Sequence, residues 1–213
     1  MKFRRKSADA AAAAAAEADV PVDDGVPSTG PFDIDDLPED DGVPRVDLGS
    51  MLVAPGPGLE LRLQVDEDEE EVQAVVLAGS DGALELRAFA APRGGDLWSE
   101  IRPRLAADYA QRGGTATERE GRFGTELLCQ LTVRTPDGRT GTQPSRVIGV
   151  NGSRWMLRAT LMGRAAQEVD ASGVWEDAIE QVVVRRGAQA MPVGAVLPLT
   201  MPPRDQLVER PST

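Results

Sequence analysis

Apolar and polar residues alternate with period two over several stretches of the chain. Leu59, Leu61, Leu63 and Val65 alternate with Glu60, Arg62 and Gln64, the pattern of a strand with one face buried. Val72 to Ala78 reads as a second strand, and Ser80-Asp81-Gly82 as a turn. Leu84, Leu86, Ala88 and Ala90 then alternate with Glu85, Arg87 and Phe89. The connections are too short for a crossover helix, so the three strands form an antiparallel meander.

The period changes next. Leu97, Ile101, Leu105 and Tyr109 recur every four residues, with Asp96 as N-cap and Gly113-Gly114 closing the helix. Pro103 lies inside this helix and predicts a bend or restart. A long strand follows from Phe123 to Val133, then a turn at Pro136-Asp137-Gly138. Arg146 to Val150 and Trp155 to Met162 flank Asn151-Gly152, a hairpin signal. Val174, Ala178, Ile179 and Val182 mark a short amphipathic helix opened by Ser172, and Val182 to Val184 leave it as a last strand. The Pro-rich stretch from Met191 reads as an extended segment on the surface. The fold class is α+β: a mainly antiparallel sheet packed by two helices.

The first part of the chain lacks such patterning. Residues 1–45 hold an alanine run and repeated Asp, Gly and Pro, as in Asp23-Asp24-Gly25-Val26-Pro27 and Asp40-Asp41-Gly42-Val43-Pro44. Large apolar residues are too few to offset chain entropy, so a disordered acidic tail is expected. One island, Phe32 with Ile34, is a candidate tether that packs on the domain or a short motif for a partner. A single domain over residues 46–203 and a flexible C-terminus at 204–213 complete the expected organisation.

Composition narrows the chemistry. The formal net charge is −12, from 35 acidic and 23 basic residues. No long basic patch offers phosphate neutralisation, so nucleic-acid binding is not expected. The chain has one cysteine, Cys129, and no histidine. A lone thiol fits a reducing compartment. A Ser-His-Asp or Cys-His nucleophile cannot be built, and a zinc site is improbable. Alanine is barely apolar, and Glu17 and Asp19 interrupt the run, which argues against a signal peptide. No stretch is long enough for a membrane span. The expected location is cytoplasmic, with no cofactor and no metal implied. The acidic run Asp66 to Glu71 reads as a solvated hairpin loop.

Five residues are candidates for a binding site. Trp98 and Arg102 are four apart on one helix face, and both types are enriched in binding hot spots. Arg154 and Arg158 fall on one face of a strand, where two guanidiniums can hold a carboxylate or phosphate. Glu126 is a carboxylate on a strand and the candidate general base. Each also has a structural alternative: a packed indole, or an ion pair with a neighbouring strand.

Gly30-Pro31-Phe32-Asp33, Val46-Asp47-Leu48-Gly49, Phe89-Ala90-Ala91-Pro92, Leu97-Trp98, Gly124-Thr125-Glu126-Leu127 and Arg154-Trp155 through Arg158 occur in this order. As a set they resemble DUF3710, an actinobacterial family without an assigned biochemical function. The resemblance runs from about Gly30 to Pro203 and implies an actinobacterial, cytoplasmic protein. The order of elements is also similar to the Mog1/PsbP-like sandwich, an antiparallel sheet with helices on its faces. Neither resemblance supplies a reaction. The sequence favours a non-catalytic interaction or scaffold domain with a protein partner. The alternative is a domain that binds a small molecule or anion through Arg154 and Arg158, and a carboxylate-dependent enzyme ranks last.

Overall fold

The computed structural model describes residues 29–38, 40–66, 71–134, 138, 140–168 and 173–202. Among the described residues, two sheets and two α-helices make up the architecture. The larger sheet has seven strands: β4 (Glu60–Val65), β5 (Val72–Ala78), β6 (Gly82–Ala90), β7 (Thr115–Gly121), β8 (Gly124–Arg134), β9 (Thr140–Asn151) and β10 (Trp155–Gly163). Their order is β4-β5-β6-β10-β9-β8-β7, antiparallel throughout. Two meanders, β4-β5-β6 and β7 to β10, are therefore joined where β6 pairs with β10. The smaller sheet contains β1 (Phe32–Asp33), β2 (Val46–Asp47), β3 (Met51–Val53) and β11 (Val183–Val184) in the order β1-β11-β3-β2.

Helix α1 (Leu97–Gln111) links the two meanders and crosses one face of the large sheet; α2 (Gly173–Glu180) packs on the other. The period-two pattern explains the two cores. On β10, Trp155, Leu157, Ala159 and Leu161 enter the main core with Trp175 and Ile179 of α2. Met156 between them points the other way and packs with Leu97, Trp98, Leu127, Cys129 and Val147 under α1. Gly149 on β9 permits this approach, since a Cβ there would lie 2.1 Å from the Trp98 indole.

The α+β class, the β4-β5-β6 meander, the β9–β10 hairpin and both helices follow the expected pattern. Several details differ. α1 continues through Pro103 without a restart, on a side where Ser99 and Pro103 both face water. The buried face of α2 is Trp175, Ala178 and Ile179, while Val174 is exposed. Among the described residues, the segment before residue 46 also packs: β1 runs parallel to β11, with Phe32 opposite Val183. The Phe32 amide donates to Val182 O at 2.9 Å, and its side chain is buried. Ile34 follows in a one-turn 3₁₀ helix and is half-buried, so the island packs on the domain. Residues 1–28, most of the acidic run (67–70), Pro136 and Asp137 of the expected turn, Ser172 and 203–213 lie outside the described residues.

The extended C-terminal segment completes β6. β5 pairs with β6 only as far as Leu86, and residues 194–197 take over beyond it. Gly194 and Leu197 amides donate to Ala90 O and Ala88 O, and the Ala90 amide donates to Ala195 O. Val193, just before them, is left exposed.

Candidate functional site

The N-terminus of α1 is fixed by a polar network. Asp96 caps it, accepting from the Ser99 amide at 3.0 Å and from Asn151 Nδ2 at 2.7 Å. Asn151 Oδ1 accepts in turn from the Trp98 amide at 3.1 Å. The Trp98 indole donates to Thr125 O at 2.6 Å. Trp98 is only 4% exposed, so its indole is packed rather than displayed on the surface. Arg102 turns away from it and donates to Glu118 of β7 at 2.8 Å.

Glu126 lies on the opposite face of the sheet. It is 1% exposed and sits 2.8 Å from Arg146, which is fully buried and also meets Glu176 of α2 at 2.5 Å. Arg119 lies 3.9 Å from Glu126. Burial alone would lower the Arg146 pKa; Glu126 and Glu176 outweigh it and raise it. Arg122, in the β7–β8 turn, pairs with Asp177 and Glu180. Together these ion pairs lock α2 onto the β7–β8–β9 end of the sheet. Glu126 thus faces a cation in the interior, away from solvent.

Arg154 and Arg158 do not meet. β10 starts at Trp155, so Arg154 belongs to the hairpin loop, where it lines a polar cleft with Arg93, Ser153, Asp33, Asp35 and Asp36. Asp33 is held by Ser153 Oγ at 2.5 Å and the Trp155 indole at 2.9 Å, which ties β1 to the hairpin.

Arg158 is inside the strand and under α1. Its guanidinium stacks over Phe89, 5.2 Å from the ring centroid. The nearest carboxylate, Glu85, is 3.8 Å away and already accepts from Arg87 at 3.0 Å. Arg158 Nε is buried and has no hydrogen-bond partner among the described residues. Burial pulls its pKa below the usual value; Glu85 opposes this, and Arg87 adds to it. A cavity of about 280 Å³ opens beside it between α1 and the sheet. Phe89, Trp98, Ile101, Leu105 and Met156 give it apolar walls, Arg104 and Arg158 bring two cations, and Glu100 one anion. Val193 and Gly194 also line it. On the other side of Arg158 a second cavity of about 230 Å³ is bounded by Glu85, Asp108, Tyr109 and Arg112.

The sequence pattern does not single out Arg104, Phe89 or Val193 as site residues. Arg104 is legible in principle, since it is exposed one turn after Ile101 on α1. Val193 is not, because the return of the C-terminal segment to β6 leaves no local pattern. Among the described residues no group of three or more acidic or sulfur side chains could hold a metal ion. No described helix is long and apolar enough to cross a membrane.

No curated protein matches the chain. The family model described as "Protein of unknown function (DUF3710)" matches residues 30–207, a span that begins at the segment carrying β1 and contains both sheets and both helices. The chain therefore belongs to the DUF3710 family.

Proposed function

We propose that the protein is a non-catalytic binding domain whose ligand is a small amphipathic anion, seated in the cavity between α1 and the large sheet. The observation that carries this reading is Arg158: a buried guanidinium whose Nε has no partner among the described residues, beside a cavity with apolar walls. Unpartnered buried donors are rare and costly. A carboxylate, sulfonate or phosphate head would satisfy Arg158 and reach Arg104, forming charge-assisted bonds in a site of low dielectric. The apolar body would lie against Trp98, Ile101, Leu105 and Phe89. Ligand sites commonly have this composition, apolar walls with a few placed polar groups, and about 300 Å³ is the usual lower size.

The other two readings have less support. Trp98 and Phe32, which suggest a protein partner in the sequence, are both packed inside the fold. Glu126, the candidate base, is ion-paired on the far face of the sheet. A general base has to reach the proton it removes.

The test uses 1-anilinonaphthalene-8-sulfonate, an amphipathic anion that fluoresces in apolar surroundings. One equivalent is expected to bind the full chain. Arg158→Gln should weaken it by at least about tenfold, the equivalent of one lost charge-assisted bond. Arg104→Gln should weaken it less. Equal affinity of wild type and Arg158→Gln, with equal thermal midpoints, would remove the site.

A further inference from the structure

A second feature lies on the α2 side of the molecule. α2 leaves Val174 exposed, although its neighbour Trp175 is fully buried. Val174 forms one wall of a groove of about 490 Å³, lined by Val43, Pro44, Ala54, Pro55 and Pro57 and, along α2, by Ala178 and Gln181. Its lining is apolar and rich in proline, hence rigid. Among the described residues that line it, the one carboxylate, Asp177, is paired with Arg122 at 2.6 Å. An acidic segment would therefore meet no unpaired negative charge among the described lining residues.

One Val-Pro pair already forms part of this surface. Val43 and Pro44 end the sequence Asp40-Asp41-Gly42-Val43-Pro44. Its conformation is set locally: Asp40 accepts from the Gly42 amide and Asp41 from the Val43 amide, each at 3.0 Å. Arg45 then pairs with Asp41 at 2.8 Å and donates to Gln181 O at the end of α2. The same five residues occur once more, as Asp23-Asp24-Gly25-Val26-Pro27, preceded by Val20-Pro21-Val22.

The position of the chain makes that copy the natural occupant. Gly30 packs against Glu180 O, at the end of α2 where Gln181 lines the groove. Only Ser28 and Thr29 separate Pro27 from Gly30 in the sequence, so the copy is joined to that end of α2 by two residues. The eight residues of α2, Gly173–Glu180, cover about 12 Å at 1.5 Å per residue. Residues 20–27, extended, reach about 26 Å at 3.3 Å per residue, enough to run the length of the helix. We infer that residues 20–27 dock in the Val174 groove of their own chain, with Val20, Val22 and Val26 against Val174 and the proline walls. Pro-rich extended segments suit such a groove because little conformational freedom is lost on binding.

Methyl NMR of the full chain tests this. The Val174 methyl resonances, assigned through Val174→Ile, are compared with those of a full-length variant carrying Val20→Ser, Val22→Ser and Val26→Ser. Docking predicts a change in the Val174 shifts and, in the wild type, NOEs from Val174 to valines of residues 20–27. Identical Val174 shifts in the two proteins would overturn the proposal. A sample mixing differently labelled chains separates the two sources of the segment. NOEs within one chain support the inference, and NOEs only between chains overturn it in favour of a second copy.

Discussion

Arg146 and Arg158 sit on adjacent strands of one sheet, and they have opposite fates. Arg146 on β9 points toward α2, where Glu126 and Glu176 meet it and raise its pKa. Arg158 on β10 points toward α1, where the nearest carboxylate is 3.8 Å away and shared with Arg87, and burial lowers its pKa. The same side chain is a structural bolt on one face and an unsatisfied donor on the other. What differs is whether the fold brings a carboxylate to it. A buried cation with its counter-charges built in has no capacity left for a ligand; one without them retains it.

Breaking the α2 side should have the largest effect. Arg146→Met keeps an apolar stem but leaves Glu126 buried without its closest cation. The expected loss is about 3–5 kcal/mol, the usual result of removing one partner of a buried ion pair. Urea unfolding measures it. Adding Glu126→Gln to Arg146→Met should recover part of the loss, giving a coupling energy between two residues in contact. A loss below about 1 kcal/mol, on the scale of an exposed pair, would mean that Arg146 is not the bolt it resembles.

The corresponding change on the α1 side should hardly alter stability. Arg158→Gln removes a stacked guanidinium and a long ion pair, but it also removes a desolvated charge. Its effect on stability in urea is expected to stay within about 1 kcal/mol, the range of a cation–π contact and a weak pair. A loss as large as that of Arg146→Met would place Arg158 among the structural residues and take away the basis of the cavity reading.

How far this contrast can be read from the sequence depends on the element. β4, β6 and β10 carry clear alternation because one face of each is apolar. β7, Thr115–Gly121, leaves no such signal: it is an edge strand of threonines, charges and small residues. The strand pattern places Arg146 on β9 but says nothing of its burial, since its partner Glu176 is thirty residues away and only the packing of α2 brings them together. Spacing groups Arg154 with Arg158, a rule that holds within a strand; Arg154 lies one residue before β10 begins. Helical spacing groups Trp98 with Arg102, yet β7, the strand without a period-two signal, draws Arg102 away through Glu118.

A pH-dependent effect of no more than about 1 kcal/mol sharpens the comparison at the start of α1, the helix that roofs the Arg158 cavity. The Ser99 side chain and then its amide hold the Asp96 carboxyl below its ordinary pKa, against a smaller opposing effect of burial; Asn151 and Arg102 contribute in the same direction as Ser99. A carboxylate with a depressed folded pKa stabilises the protein above its unfolded value, near about 3.9, and that contribution is lost as pH falls through the folded value. Asp96→Ala should therefore cost about 1 kcal/mol at neutral pH, the usual worth of an N-cap. The gap between wild type and variant should narrow in acid, as Asp96 is protonated in the wild type. Urea midpoints at neutral pH and below the folded pKa of Asp96 check this. An unchanged gap would assign the cap's contribution to hydrogen bonds that survive protonation, and α1 would then be held over the cavity by geometry and not by charge.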